Sequence, residues 1–194
     1  MHLFERAITQ ISERVKAICP DTKIVIATHS TVNYDNYGIT AGIDHYAPLV
    51  DGIIGQTWSD TARMQLKYNG TDQTDVYAYA ALEYASYMDT VEGIDFYALA
   101  DSKADNPNLS WADYETLYRQ TVTASLMQPE INQFEVLPWP DRSFLAAPAA
   151  YQTEQLNVFS ALKQMSGKAS ELTAGSARVA LAISDTMSWH DEKT

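Results

Sequence analysis

The sequence predicts an α/β fold built from parallel strand–helix units. Three observations carry this. Short β-branched runs recur along the chain at Lys23–His29, Gly52–Trp58, Ile94–Ala100 and Ile131–Leu137. Helical patterns lie between most of them, and each unit takes roughly 30–40 residues, the length of a βαβ crossover. No Gly-x-Gly-x-x-Gly and no phosphate-loop signature follows any strand, so the nucleotide-binding open sheets lose support. The loops after the strands are long and rich in aromatics and carboxylates, which favours the mouth of a (β/α)8 barrel over a doubly wound sheet.

The elements follow in order. In MHLFERAITQISERVKAI, the apolar residues Leu3, Phe4, Ala7, Ile8, Ile11, Val15 and Ile18 recur every three or four positions, an amphipathic helix. Glu5, Arg6, Glu13, Arg14 and Lys16 interrupt it too often for a signal peptide, and the compartment stays open. After the first strand, a Tyr-rich polar stretch leads into a short helical segment at Ile43–Val50. Val76, Tyr79, Ala80, Tyr84 and Tyr87 mark a helix over 75–90 whose tyrosines are expected in the core. Ser110-Trp111-Ala112-Asp113 is a capping-box pattern opening a helix that runs to Met127. Past Phe144 the composition shifts. LAAPAAYQ reads as a connector, Thr153–Met165 as a helix with Leu156, Phe159, Leu162 and Met165 on one face, and Ala177–Asp185 as a fifth parallel-type strand. Two regions result: 1–150, a partial barrel, and 151–194, a connector helix with the first strand of another α/β domain.

Composition narrows the function. A chain that is 46% hydrophobic with 12 Tyr, 5 Phe and 4 Trp has the makings of a core and is not disordered. A formal charge of −12 would repel a phosphate backbone, so nucleic acid is not an expected partner. No apolar run is long enough for a membrane span, and no membrane partner is expected. Cys19 stands alone, which excludes an internal disulfide; before Pro20 it reads as a small buried residue rather than a nucleophile. Asn69-Gly70-Thr71 and Asn108-Leu109-Ser110 fit the glycosylation pattern, a signal short enough to arise by chance.

In a barrel, chemistry gathers where strands end, and the strand period of two shows which residues share a face. Val25, Ala27 and His29 do so on the first strand; Gln56, Trp58 and Asp60 on the second; Tyr97, Leu99 and Asp101 on the third; Glu135, Leu137 and Trp139 on the fourth. Glu135, set between Phe134 and Val136, is the most informative carboxylate, because a charge in mid-strand is costly unless it is paired or used. It reads either as an acid/base or nucleophile, or as a charge satisfied inside the barrel. Asp101 has the better catalytic location, with an Asx turn in DSKADNP as the structural alternative. Tyr34, Tyr37, Trp58 and Trp139, beside Asp60, Asp141 and Arg142, offer flat rings next to carboxylates, the requirement of a sugar-binding cleft. Trp111, next to a helix cap, is assigned to packing. His29 is expected to contact substrate. Without His-x-His or His-Glu-x-x-His, no metal or other cofactor is expected, and a metal-dependent hydrolase using His29 and Asp101 is the remote alternative.

The stretch ALADSKADNPNLSWADYETLYRQTVTASLMQPEINQFEVLPWPDRSF (98–144) resembles the later part of bacterial barrel proteins related to glycoside hydrolases, with DNPNLSW and EVLPWPDR its most distinctive pieces. The wider arrangement over 23–190 is similar to the β-galactosidase-type barrels of the large retaining clan, in which an α/β domain follows the barrel; ARVALAISD matches that domain's first strand. The resemblance implies that the four strands are the second half of a TIM barrel. It implies a glycoside hydrolase, with an oligosaccharide or glycoside as partner. The clan's acid/base lies in an Asn-Glu pair that does not occur in this sequence, and its nucleophile, a Glu, falls near Asp101. The expected catalytic pair is therefore Asp101 and Glu135, with His29, Tyr34, Trp58, Asp60, Trp139, Asp141 and Arg142 on substrate. A non-catalytic carbohydrate-binding barrel is the competing class. A complete barrel takes about 250 residues, so the chain is expected to be part of something larger, and open strand edges favour self-association.

Overall fold

A computed structural model describes residues 2–28, 47–57, 64–75, 77, 84, 87, 93–101, 108–128, 131–137 and 139–165. The elements are α1 (His2–Ile18), β1 (Val25–Thr28), a 3-10 turn at Ala47–Leu49, β2 (Gly52–Thr57), β3 (Met64–Tyr68), β4 (Thr71–Asp75), β5 (Asp95–Ala100), α2 (Trp111–Ser125), β6 (Gln133–Glu135), α3 (Pro140–Phe144) and α4 (Ala149–Met165). The fold is α/β, as expected. β1, β2, β5 and β6 form a four-stranded, all-parallel sheet in that spatial order. Among the described residues, strands adjacent in this sheet follow one another along the chain, interrupted by the β3–β4 hairpin.

That hairpin was not expected. Its turn is Asn69-Gly70, with φ of 53° and 80°, and Tyr68 pairs with Thr71. Two successive left-handed residues make the turn whose twist suits a tight hairpin, and Asn-Gly is the dipeptide that adopts it most readily. The Asn69 sequence signal thus has a conformational meaning that the glycosylation pattern obscured.

One face of the parallel sheet carries the core. Ile53, Phe96 and Ala98 pack with Ile8 of α1, Ala47, Val50, Ala124 of α2 and the helical residues Tyr84 and Tyr87, with Ile26 and Phe134 alongside. Tyr84 and Tyr87 of the 75–90 segment are core residues, as their spacing predicts, whereas Tyr77 is exposed and Tyr79 lies outside the described residues. A second cluster joins Ala100 to Tyr118 and Val122 of α2 and Leu162 of α4. Ser110 caps α2: its Oγ accepts from the Asp113 N–H at 3.2 Å, and its own N–H donates to Asp113 Oδ2 at 2.8 Å. The capping box satisfies two of the helix's orphan donors.

Three expectations are corrected. Cys19 is exposed, because α1 ends at Ile18 and the chain turns outward toward Pro20. α4 begins at Ala149 rather than Thr153, so part of the expected connector is helix. Its inward face is Tyr151, Gln155, Val158 and Leu162, while Leu156 and Met165 are exposed. The apolar residues alone suggested a different stripe, because a buried glutamine is invisible to hydrophobic periodicity. The fifth strand expected at Ala177–Asp185 lies outside the described residues. No described helix is long and apolar enough to cross a membrane.

The N-terminal end of the sheet is tied by charge. Asp51 accepts from the Ile24 N–H at 2.8 Å and pairs with Lys16 at 2.7 Å. Lys23 pairs with Asp95, which also accepts from Gln133 Nε2 at 3.3 Å. The Ile24 amide and the Lys16 ammonium hold Asp51 below the usual carboxylate range, and Lys23 and Gln133 do the same for Asp95. A depressed folded pKa contributes stability above the unfolded value that is lost as pH falls through the folded one. Urea unfolding from pH 6 down to about pH 3 is expected to lose stability more gradually in the Asp51→Asn, Asp95→Asn double variant than in the parent. Equal slopes would show that these pairs contribute nothing.

Candidate functional site

The register determines which residues lie side by side on the other face of the sheet. Gln56 pairs with Leu99 and Leu99 with Glu135; one layer lower, Ala27, Ile54, Tyr97 and Gln133 align. Residues opposite one another in a parallel ladder point the same way, so these seven share a face. None belongs to a core cluster of described residues; Ala27 is exposed and all the others but Leu99 are half-buried. All-parallel sheets normally have both faces covered. This second face, open as far as the described residues go, carries Glu135 at its C-terminal end.

Glu135 has no hydrogen-bond or ion-pair partner among the described residues, so the reading of it as a neutralised structural charge gains no support there. Its carboxyl is raised above the usual range by burial alone. Desolvation disfavours the charged form, which is how a carboxyl is kept able to donate a proton near neutrality.

Asp101 lies one residue past β5 and is buried. Burial raises the Tyr151 hydroxyl, and the neighbouring Asp101 charge raises it further. Tyr151 belongs to a ring stack, with Trp111 at 5.5 Å and Tyr118 edge-on at 6.3 Å between centroids. Trp111 also meets Tyr114 at 5.9 Å, so it packs, as expected. Asp101 is set against the α2–α4 aromatic layer, and the rise at Glu135 owes nothing to it.

Trp139, half-exposed, precedes the short helix α3, which opens with Pro140, a residue suited to the first helical turn. The Arg142 guanidinium lies 5.0 Å from the Trp139 ring centroid. Trp139 and Arg142 are therefore brought together, and a ligand stacking on Trp139 uses the opposite ring face or displaces Arg142. Asp141 is exposed in the same turn. His29, Tyr34, Tyr37, Trp58 and Asp60 lie outside the described residues.

The sequence did not flag several polar groups beneath these positions. Gln155 is fully buried; its Nε2 donates to Ser143 Oγ at 3.1 Å, and its Oε1 has no partner among the described residues. Thr57, the last residue of β2, is fully buried, and its hydroxyl has no partner among the described residues. The Thr28 hydroxyl at the end of β1 shares a hydrogen bond of 2.9 Å with Tyr87. Threonines ending strands are ordinary β residues, so no sequence signal separates them. Among the described residues, no group of three His, Cys, Asp or Glu could hold a metal ion. No family model, curated protein or solved structure matches the chain.

Proposed function

We propose that the parallel sheet is half of a (β/α)8 barrel of glycoside-hydrolase type and that the chain is carbohydrate-active at the C-terminal ends of its strands. The strand order β1-β2-β5-β6, with the described helices on one face, supports a singly wound sheet. A doubly wound sheet reverses its order and covers both faces. The observation that carries the functional reading is Glu135, a carboxyl at the C-terminal end of the open face that has no partner among the described residues and whose proton affinity is raised by burial. In glycoside cleavage such a group protonates the departing glycosidic oxygen, and a second carboxylate attacks or activates water. Asp101 is the candidate for that second role, and Trp139 supplies a ring for the apolar side of a sugar.

Carbohydrate binding without turnover is the second reading. A retaining pair stands about 5–5.5 Å apart, and at that distance each charge raises the other's pKa. Because burial accounts for the rise at Glu135 and Asp101 is set against Tyr151, binding is favoured over cleavage by this chain alone.

Tryptophan fluorescence during titration with a panel of oligosaccharides tests both. A saturable response is expected, weakened about tenfold in Trp139→Ala, the order of an aromatic contact; no response to any member would sink the carbohydrate reading. Reducing-sugar release abolished by Glu135→Gln with binding kept identifies the hydrolase, and binding with no release identifies the binding protein. Stability gives an independent readout. A carboxyl with a raised folded pKa penalises folding where it must ionise. Glu135→Gln is therefore expected to raise the urea midpoint at pH 7, with the gain vanishing below about pH 4.

A further inference from the structure

Two residue pairs in the chain share one latent chemistry. An asparagine or aspartate side chain followed by glycine can close on the next backbone nitrogen to form a five-membered imide, because glycine has no Cβ to hinder the approach. Of the seven asparagines only Asn69 precedes a glycine, and of the aspartates only Asp51 does. The fold treats the two pairs in opposite ways. Asp51-Gly52 is held at the groups that ring closure must move. The Asp51 carboxylate accepts from the Ile24 N–H at 2.8 Å and pairs with Lys16 at 2.7 Å. The Asp51 carbonyl accepts from the Asp95 N–H at 3.1 Å, and Gly52 is buried in β2, in register with Val25 and Asp95. Asn69-Gly70 forms instead the exposed two-residue tip of the β3–β4 hairpin, with both residues left-handed. Ring closure requires the peptide plane after Asn69 to rotate out of that turn. An exposed turn opens locally at small cost, whereas a buried strand opens only with its sheet.

We propose that Asn69 is a self-modification site, converted through an imide to isoaspartate and aspartate at the hairpin tip, while the fold protects the equivalent Asp51-Gly52 pair. The Gly70 backbone nitrogen gives up its proton and bonds to Asn69 Cγ. The Cγ–Nδ2 bond breaks, and that nitrogen leaves with the proton as ammonia. Water then opens the ring at either carbonyl. Attack at Cγ restores the ordinary backbone and leaves aspartate. Attack at the backbone carbonyl leaves isoaspartate, with the chain running through Cβ and Cγ and longer by a methylene. Thr71 also completes the acceptor pattern for an N-linked glycan, but attaching one needs an activated sugar donor, whereas the imide route needs water alone. Either product adds a negative charge to the formal −12. Isoaspartate does more, because a two-residue loop sets the register of the strands it joins. With the longer turn, the pairing that begins at Tyr68 and Thr71 is lost.

Incubation of the whole folded chain at neutral and mildly alkaline pH, followed by peptide mapping with mass spectrometry, tests this. Conversion at Asn69 is expected to run about tenfold or more ahead of every other asparagine, since each of those is followed by a bulkier residue. It should accelerate with hydroxide, because the attacking nitrogen must lose its proton, and both isoaspartate and aspartate should form. Position 51 is followed at mildly acidic pH, where an aspartyl group loses water most readily. It should stay unmodified in the folded chain and gain isoaspartate once the chain is held unfolded in urea. The isoaspartyl chain, separated by ion exchange on its extra charge, should lose amide protection over residues 64–75. Freshly prepared Asn69→Asp gains the same charge without the methylene and should keep that protection, because aspartate also tolerates a left-handed turn. Asn69 left intact at alkaline pH, aspartate without isoaspartate, conversion no faster than at the other asparagines, or isoaspartate at position 51 in the folded chain would overturn the assignment. So would hairpin protection that is unchanged in the isoaspartyl chain or already lost in Asn69→Asp.

Discussion

Replacing Gly55 with alanine is expected to cost about 1–3 kcal/mol, the range for forcing extra volume into a filled core. A Cβ at this position would lie 2.6 and 2.7 Å from two atoms of the Phe96 ring and 2.9 Å from Tyr87. Neither ring can step aside. Phe96 and Tyr87 are buried and packed against each other at a tilt, 5.2 Å between ring centroids, and the Tyr87 hydroxyl is held by Thr28. The methyl group must therefore push β2 away from its helical cover or break that hydrogen bond. Gly55→Val, with two more carbons, is expected to leave too little stability for a folded baseline. Urea unfolding followed by circular dichroism checks this: the alanine midpoint should fall while the slope against denaturant is kept. A midpoint within error of the parent would mean that Phe96 can rotate to make room for the methyl group.

The second large effect is expected at Tyr118. Its fully buried ring fills the space between α2, β5 and α4, with Ala100, Val122 and Leu162 as neighbours. Its hydroxyl donates to the Val136 carbonyl at 2.7 Å. Truncating a buried aromatic to alanine costs about 3–5 kcal/mol, so Tyr118→Ala is expected to be largely unfolded at 37 °C. Tyr118→Phe separates the two contributions. It keeps the ring but strands a carbonyl, at a cost of about 1–3 kcal/mol. Val136 directly follows β6 and leads into Trp139, so the same hydrogen bond fixes the segment that carries the candidate ring. Tyr118→Phe should therefore also weaken any carbohydrate signal at Trp139, although the hydroxyl contacts no ligand. Equal urea midpoints for parent and Tyr118→Phe would show the bond to be without consequence.

The parallel strands were legible because they are short, β-branched and bounded by turn residues, and a buried strand has few other ways to be written. The α2 start was legible for a similar reason: Ser110 and Asp113 form a local chemical unit that needs no tertiary information. The β3–β4 hairpin was missed although Asn69-Gly70 announces it, because Thr71 drew the three residues into another pattern. The exposure of Cys19 and the inward face of α4 depend on what neighbours an element after folding. Gln155 shows this most clearly: a polar residue on a helix reads as solvent-facing until its Ser143 partner is known. For the site, the strand period placed Glu135 on the open face, but it could not show that Asp101 faces Tyr151. Side-chain direction beyond a strand end is set by the loop, not by the period.

The register of the sheet carries a kinetic consequence. Val25 meets Gly52, Ile53 meets Phe96 and Tyr97 meets Gln133, so each parallel pairing closes a loop of tens of residues before it gains a contact. The β3–β4 hairpin joins residues three apart at its turn and can form in microseconds. Folding should therefore begin with α1, α2 and the hairpin, while the sheet that organises the candidate site assembles last and sets the rate. Until then, strands that have not yet found their neighbours, and the exposed Leu3, Ile11 and Ile18 of α1, are available to any other unfinished copy. Slow sheet closure thus makes the order of events during synthesis, as well as final stability, a determinant of how much usable protein the chain yields.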